Sequence, residues 1–214
     1  PNLFFKIIAD NTSDYDMFFF QFPSLELLIE DSRFDQIHHQ HIHYYSLQSF
    51  STLIASFGFE VLDYNFDYDH YGALMVCFKK SKYISSPVKS KHFPTKNEII
   101  TKYENFLLDL SVTNNRLATL NGNFYCYGAS LMLPILSYYL PEMINCKAII
   151  DDDISKQGLS FVNFDRPIIA KDAIDFEKET VLVTALATKV ATRKILGVLC
   201  DFRARNIFLP LSGI

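Results

Sequence analysis

Four of the six histidines, His38, His39, His41 and His43, fall in the single segment Asp35-Gln36-Ile37-His38-His39-Gln40-His41-Ile42-His43-Tyr44-Tyr45-Ser46. Imidazole takes and returns a proton near neutral pH, because its ordinary pKa is ~6.5. The segment is a connection leading into a helix, a place where catalytic groups project from a rigid scaffold. Proton transfer is one chemistry these residues can do. Metal binding is a second: in an extended strand His39, His41 and His43 would share one face, and imidazole is a common ligand for zinc or iron. Apart from the distant His70, no carboxylate or further histidine recurs at a matching spacing. A polar surface loop with solvated imidazoles is the third reading.

A second candidate lies further along the chain. Tyr127-Gly128-Ala129-Ser130 sits where a Rossmann unit makes its first strand-to-helix turn, with backbone N–H groups able to meet a phosphate. A dinucleotide fingerprint needs three glycines there, and only Gly128 is present. Asp151, Asp152 and Asp153 follow the next strand, where an acidic residue can accept ribose hydroxyls; three adjacent carboxylates are equally a solvated turn before Lys156 and Gly158. A site for S-adenosylmethionine (SAM) usually needs an acidic residue followed by a glycine-x-glycine turn. None of the seven glycines forms that pattern.

The elements that must position these residues follow from periodicity and punctuation. Met17 to Phe22 is an apolar run ended by Pro23, which suits a buried strand, and Ser24-Leu25-Glu26-Leu27-Leu28 opens a short helix. Ser46 caps a helix carrying Leu47, Phe50, Leu53, Ile54 and Phe57, with Gly58 as its stop. Strands are predicted at 59–66 and 73–79, joined by an acidic, tyrosine-rich loop. Residues 81–94 carry Pro87, Pro94, four serines and three lysines without periodicity, which is linker chemistry. Thr95-Lys96-Asn97-Glu98 is a capping box opening a long amphipathic helix with Ile99, Tyr103, Phe106 and Leu110 in one stripe. A strand at 124–127, a helix at 130–140 and a strand at 147–150 then form a βαβ unit. Further strands at 167–170, 180–183 and 206–209 alternate with helical stretches, the clearest at 188–199, and predict an α/β domain with a largely parallel sheet.

A length of 214 residues allows one large domain or two small ones, and 49% hydrophobic residues, with 20 Phe and 12 Tyr, can fill a core without tryptophan. A formal net charge of -4 lacks the surplus of Lys and Arg that nucleic acid binding needs. The four cysteines form no CxxC pair, so neither a structural zinc site nor a disulfide framework is indicated and a reducing cytoplasm is the simplest setting. The start lacks the basic region and cleavage site of a signal peptide. The uncharged stretch from Leu117 to Pro141 is broken by Asn121, Gly122, Gly128 and Pro134 and reads as strand, turn and buried helix rather than a membrane span.

Three further stretches carry a resemblance: Phe18-Phe19-Phe20-Gln21-Phe22-Pro23, the run Phe34 to Leu47 containing the histidines, and Gly58-Phe59-Glu60-Val61. Together they resemble the later part of the SAM-dependent sugar C-methyltransferases. That family carries an I-Y-H-E-H-x-S-Y-F-S-L signature before a helix and a G-L-E-V strand. Its H-G-G-S-L landmark is similar to His70-Tyr71-Gly72-Ala73-Leu74, and its Y-G-A and D-D-x-x-x-K-x-G motifs are similar to Tyr127-Gly128-Ala129 and to Asp152-Asp153 through Lys156 and Gly158. The resemblance spans nearly the whole chain.

It implies a partial class I methyltransferase core at 1–82, a linker at 83–94 and a Rossmann-like domain at 95–214. It implies SAM as cofactor, a nucleotide-linked sugar or related small molecule as substrate, and a chain that begins partway through the core, so that the SAM-binding N-terminal half must come from elsewhere. His41 matches the general base, with His38, Gln40 and Tyr44 as further catalytic groups. His39, His43, His70, Tyr71, Tyr127, Gly128 and Asp152 are implied to contact substrate. The chain departs from the signature at two positions: His38 replaces Tyr and Gln40 replaces Glu, and an amide cannot titrate. Two other function classes stand beside this one: a metal-dependent enzyme centred on His39, His41 and His43, and a non-catalytic module that binds sugar nucleotides.

Overall fold

The apolar run from Met17 to Phe22 forms the expected strand but buries only one face, because successive side chains point to opposite sides: Phe18, Phe20 and Phe22 turn to the core while Phe19 stands in solvent. In the computed structural model, which describes residues 1–38, 41–69, 72–83, 86–89, 93–186 and 189–211, this strand is β1 (Met17–Pro23). It is preceded by α1 (Asn2–Asn11) and followed by α2 (Leu25–Glu30), α3 (Leu47–Ala55), β2 (Phe59–Asp67) and β3 (Ala73–Lys80). β3 lies between β1 and β2 and pairs antiparallel with both, Met17 opposite Lys79 at one end and Pro23 opposite Ala73 at the other, with a bulge in β2 between Val61 and Asp63.

The inner face of this sheet packs on α1 and α3 through Phe5, Leu47, Phe50, Ile54, Phe59, Leu74, Val76 and Phe78. Phe78 is at the centre: its ring lies 5.3 Å from Phe18, 5.0 Å from Phe20, 5.5 Å from Phe59 and 5.9 Å from Phe50, mostly edge to face. Helix α1 has no counterpart in the sequence-based reading, although Phe5, Ile8 and Ala9 face this core at helical spacing.

The second half is built on parallel strands. After α4 (Lys96–Thr119) come β4 (Tyr125–Tyr127), α5 (Leu133–Tyr139), β5 (Ile149–Ile150), β6 (Ile168–Ile169), β7 (Thr180–Val183), α6 (Lys189–Asp201) and β8 (Asn206–Phe208). The sheet order is β6-β5-β4-β7-β8 and every pairing is parallel. This is the expected α/β sheet, with strand order reversing beside β4.

The capping box at Thr95 and Glu98 forms, the Glu98 carboxylate accepting from the Thr95 N–H at 2.6 Å. The buried stripe of α4 lies further along than expected, at Phe106, Leu110, Thr113 and Leu117, while Tyr103 is 43% exposed. The helix expected at 130–140 begins only at Leu133, because Pro134 donates no N–H and fits only the first turn. Among the described residues no helix is long and apolar enough to cross a membrane.

The chain divides into two compact units, Pro1–Asp31 with His39–Ile99, and Ser32–His38 with Ile100–Ile214. The segment Ser32–His38 therefore belongs with the parallel sheet, although it precedes β2 and β3 in sequence. The ring of Phe34 explains part of this, packing 5.2 Å from Tyr103 and 5.7 Å from Phe106.

Phe78→Ala is expected to destabilise the protein by about 3–5 kcal/mol, since it empties the centre of a packed aromatic core. Urea unfolding measures this, and a loss below about 1 kcal/mol would contradict the central placement of Phe78.

Candidate functional site

The histidine segment begins in the second unit on a buried ion pair. Ser32 turns the chain with φ 53°, and Arg33 and Asp35 follow, 8% and 2% exposed. The Arg33 guanidinium donates twice to the Asp35 carboxylate, at 2.8 and 2.7 Å, and a third time to the Leu186 carbonyl at 2.7 Å. Leu186 follows β7, so this bond ties the start of the segment to the carboxyl end of the sheet. A buried pair of this kind is costly to break, about 3–5 kcal/mol when one partner is removed, because the other charge is left in a dry site. A short turn over Phe34–Gln36 leads to His38, which is half-buried. Burial, with smaller contributions from Tyr103 and Asp35, raises the Tyr139 phenol above its ordinary range.

The segment ends in the first unit on a different set of bonds. The Tyr45 carbonyl accepts from the Leu25 N–H at 3.0 Å, and Tyr45 forms an isolated parallel bridge with Ser24. Ser46 caps α3: its hydroxyl accepts from the Ser49 N–H at 3.0 Å, and the Ser49 hydroxyl accepts in turn from the Ser46 N–H at 2.8 Å. The first N–H of α3, at Leu47, donates to the Glu26 carboxylate at 2.7 Å. Between these anchors His41 is half-buried and His43 exposed, with ring centroids 6.1 Å from Tyr44 and 5.8 Å from Tyr45. Residues 41–44 are not in a regular strand, so the alternation that would align three histidines on one face does not hold there. His39, Gln40, His70 and Tyr71 lie outside the described residues. Among the described residues no group of three or more His, Cys, Asp or Glu is arranged to hold a metal ion.

The carboxyl end of the parallel sheet in the second unit is already supplied with charge. Gly128, with φ +112°, follows β4, and a Cβ there would meet the Ala185 Cβ at 2.4 Å. The glycine is needed for close packing of the turn against the end of β7. The next N–H, at Ala129, donates to the Asp151 carboxylate at 2.7 Å, and Lys156 lies 3.3 Å from the same carboxylate. An internal anion thus occupies the N–H group that would otherwise face a phosphate.

Asp152 accepts from the Tyr127 hydroxyl at 3.0 Å and pairs with Lys171 at 3.4 Å. Asp153 accepts from the Ser155 N–H and hydroxyl, which holds its carboxyl below the usual range. Lys156 also donates to the Ala129 carbonyl at 3.2 Å, and Gly158, with φ 80°, donates its N–H to Ile168 at 2.8 Å. Each residue quoted for the D-D-x-x-x-K-x-G motif has a partner within the protein itself. Neither this turn nor the one at Gly128 fits SAM or a dinucleotide.

Of the residues expected from sequence, His41, His43 and Tyr44 lie together in the first unit, while His38, Tyr127, Gly128 and Asp152 lie in the second. The anchors Glu26 and Arg33 were not anticipated. A signal existed for each: Ser-x-Glu at the start of a short helix, and an Arg-x-Asp pair just before the histidines.

No family model matches the chain. The C-methyltransferase NovU of Streptomyces niveus is 38% identical over 60 residues, which are 28% of this chain and 14% of that protein. The chain therefore has a methyltransferase-like relationship over part of its length, and the match spans well under two thirds of the relative.

The Tyr127 phenol is pushed well above its ordinary value of 10.0, first by burial and then by its bond to Asp152. A raised acid stabilises the fold fully below the unfolded value and loses that contribution as pH rises through the folded one. Stability is therefore expected to fall above about pH 10, with Tyr127 responsible for about 1.4 kcal/mol per pH unit of the slope. Tyr127→Phe should start about 0.5–1.5 kcal/mol lower at neutral pH and show a shallower alkaline decline, read from urea unfolding at several pH values. An unchanged slope in the variant would contradict this.

Proposed function

We propose that this chain is the substrate-side, C-terminal part of a SAM-dependent C-methyltransferase acting on a nucleotide-linked sugar, with His41 as general base. The observation that carries the reading is the 38% identity to a C-methyltransferase over 60 residues. The arrangement of the histidine segment supports it: His41 is half-buried on an irregular stretch whose exit is fixed by hydrogen bonds to α2. In this reading the antiparallel sheet is the end of the methyltransferase core and the parallel sheet a Rossmann-like domain. The substrate lies against the histidine segment.

The chemistry asks for removal of a proton from carbon next to a ketone. His41 takes that proton, the C–H electron pair moves into the enolate, and the carbon becomes the nucleophile that receives a methyl group. Tyr44, whose ring stands edge-on to His41 at 6.1 Å, is the donor for the developing enolate oxygen. Gln40 can orient groups by hydrogen bonding but cannot share the proton. SAM supplies the methyl group when bound. Neither the turn at Gly128 nor the one after β5 fits it, and in this reading it binds elsewhere in the complete enzyme.

The alternative of a nucleotide-binding module is less well supported, because Asp151 already occupies the Ala129 N–H where a phosphate would bind.

In the complete enzyme His41→Ala is expected to lower methyl transfer by about 10²- to 10⁴-fold with the circular dichroism spectrum unchanged. Normal turnover in that variant would remove His41 from the mechanism.

A further inference from the structure

We infer that Glu26 is the positioning residue of the histidine segment, acting on His41 and His43 through the backbone of Tyr45 to Leu47; this rests on the reading of His41 as the base. Glu26 has no place in the family signature, and it touches none of the histidines in the described contacts. It acts through where its two oxygens go. One accepts the Leu47 N–H at 2.7 Å and the other the Ser24 hydroxyl at 3.0 Å.

Leu47 is the first residue of α3 and is 2% exposed, so its N–H has no partner within the helix and no water to turn to. Ser46 does not serve it, because an N-cap side chain reaches the second or third N–H of its helix, and here its hydroxyl accepts from Ser49. A carboxylate from another element is the solution the fold uses. Charge assists the bond, because the start of a helix carries partial positive charge.

Ser24 extends the same knot. Its hydroxyl accepts from the Leu27 N–H at 3.3 Å, its N–H donates to the Gly72 carbonyl at 2.9 Å, and the next N–H, at Leu25, donates to Tyr45. The start of α2, the start of α3 and the turn into β3 are thereby joined through three consecutive residues, Ser24 to Glu26. Tyr45 is pressed from the other side by Phe22 and Phe50, each 5.8 Å away. Its ring lies 5.8 Å from His43, and that of Tyr44 lies 6.1 Å from His41. A shift at Leu47 is therefore passed within two or three residues to the rings that pack on both imidazoles.

The test compares wild type, Glu26→Ala and Glu26→Gln by amide hydrogen exchange and by NMR of the histidine rings. In Glu26→Ala the Leu47 amide is expected to exchange on the order of tenfold faster or more. The ring Cε1–H resonances of His41 and His43 should move, while aromatic resonances of the Phe78 core stay in place. Glu26→Gln keeps an acceptor oxygen and should return the ring resonances toward wild type. A purely structural role would lower the unfolding midpoint without moving the two ring resonances selectively.

Unchanged Leu47 exchange and unmoved rings in Glu26→Ala would overturn the inference. If Glu26→Ala does not fold, Glu26→Asp, which withdraws the acceptor by one methylene, is read on the same two measurements with the same criteria. His41→Ala separates the two claims: normal turnover there with the Glu26 effects intact removes the base and leaves the anchoring, whereas silent Glu26 variants with an inactive His41→Ala do the reverse.

Discussion

Each end of the histidine segment is held, within its own compact unit, by a buried or half-buried charge. At the entry, Arg33 and Asp35 neutralise each other while the guanidinium keeps a third bond for the Leu186 carbonyl. At the exit, the Glu26 carboxylate serves the first N–H of α3. Such charges are costly to bury and are retained only where geometry satisfies them closely. The loss of either partner would leave the other unsatisfied. His38 follows the first of these anchors in the second unit, and His41 and His43 precede the second in the first unit.

The same logic governs the carboxyl end of the parallel sheet, with a different outcome. A Rossmann-type turn offers N–H groups to an anion, and here the anion is built in as Asp151, balanced by Lys156. Gly128 brings the turn against Ala185 instead of opening it. Tyr127 and Asp152 complete a set of polar groups whose partners come from the protein itself. The polar groups at this end of the second unit are thus largely paired with one another.

Much of the architecture was legible in the sequence because it rests on local rules. The apolar run from Met17 to Phe22 ended by Pro23, the Ser46 cap, the Thr95–Glu98 box and the short β-branched runs each specify their element without knowledge of the rest of the chain. What was not legible depends on contacts distant in sequence: Arg33 with Leu186 are 153 residues apart, and Ala129 with Asp151 are 22 apart. The aspartate triplet after β5 reads equally as a ribose acceptor or a solvated turn, and only the donors that reach it distinguish the two. The histidine cluster is conspicuous in composition, whereas the residues that hold it are ordinary in type and became apparent only through their bonds.

The proposed removal by His41 of a proton from carbon next to a ketone is tested by solvent deuterium exchange, which does not require methyl transfer. The complete enzyme would be incubated in D₂O with a nucleotide-linked keto-deoxysugar, and deuterium at the carbon beside the ketone followed by NMR. Enzyme-dependent deuterium incorporation that is lost in His41→Ala is expected. Incorporation at the same rate in His41→Ala, or none above the uncatalysed rate with the wild-type enzyme, would contradict it.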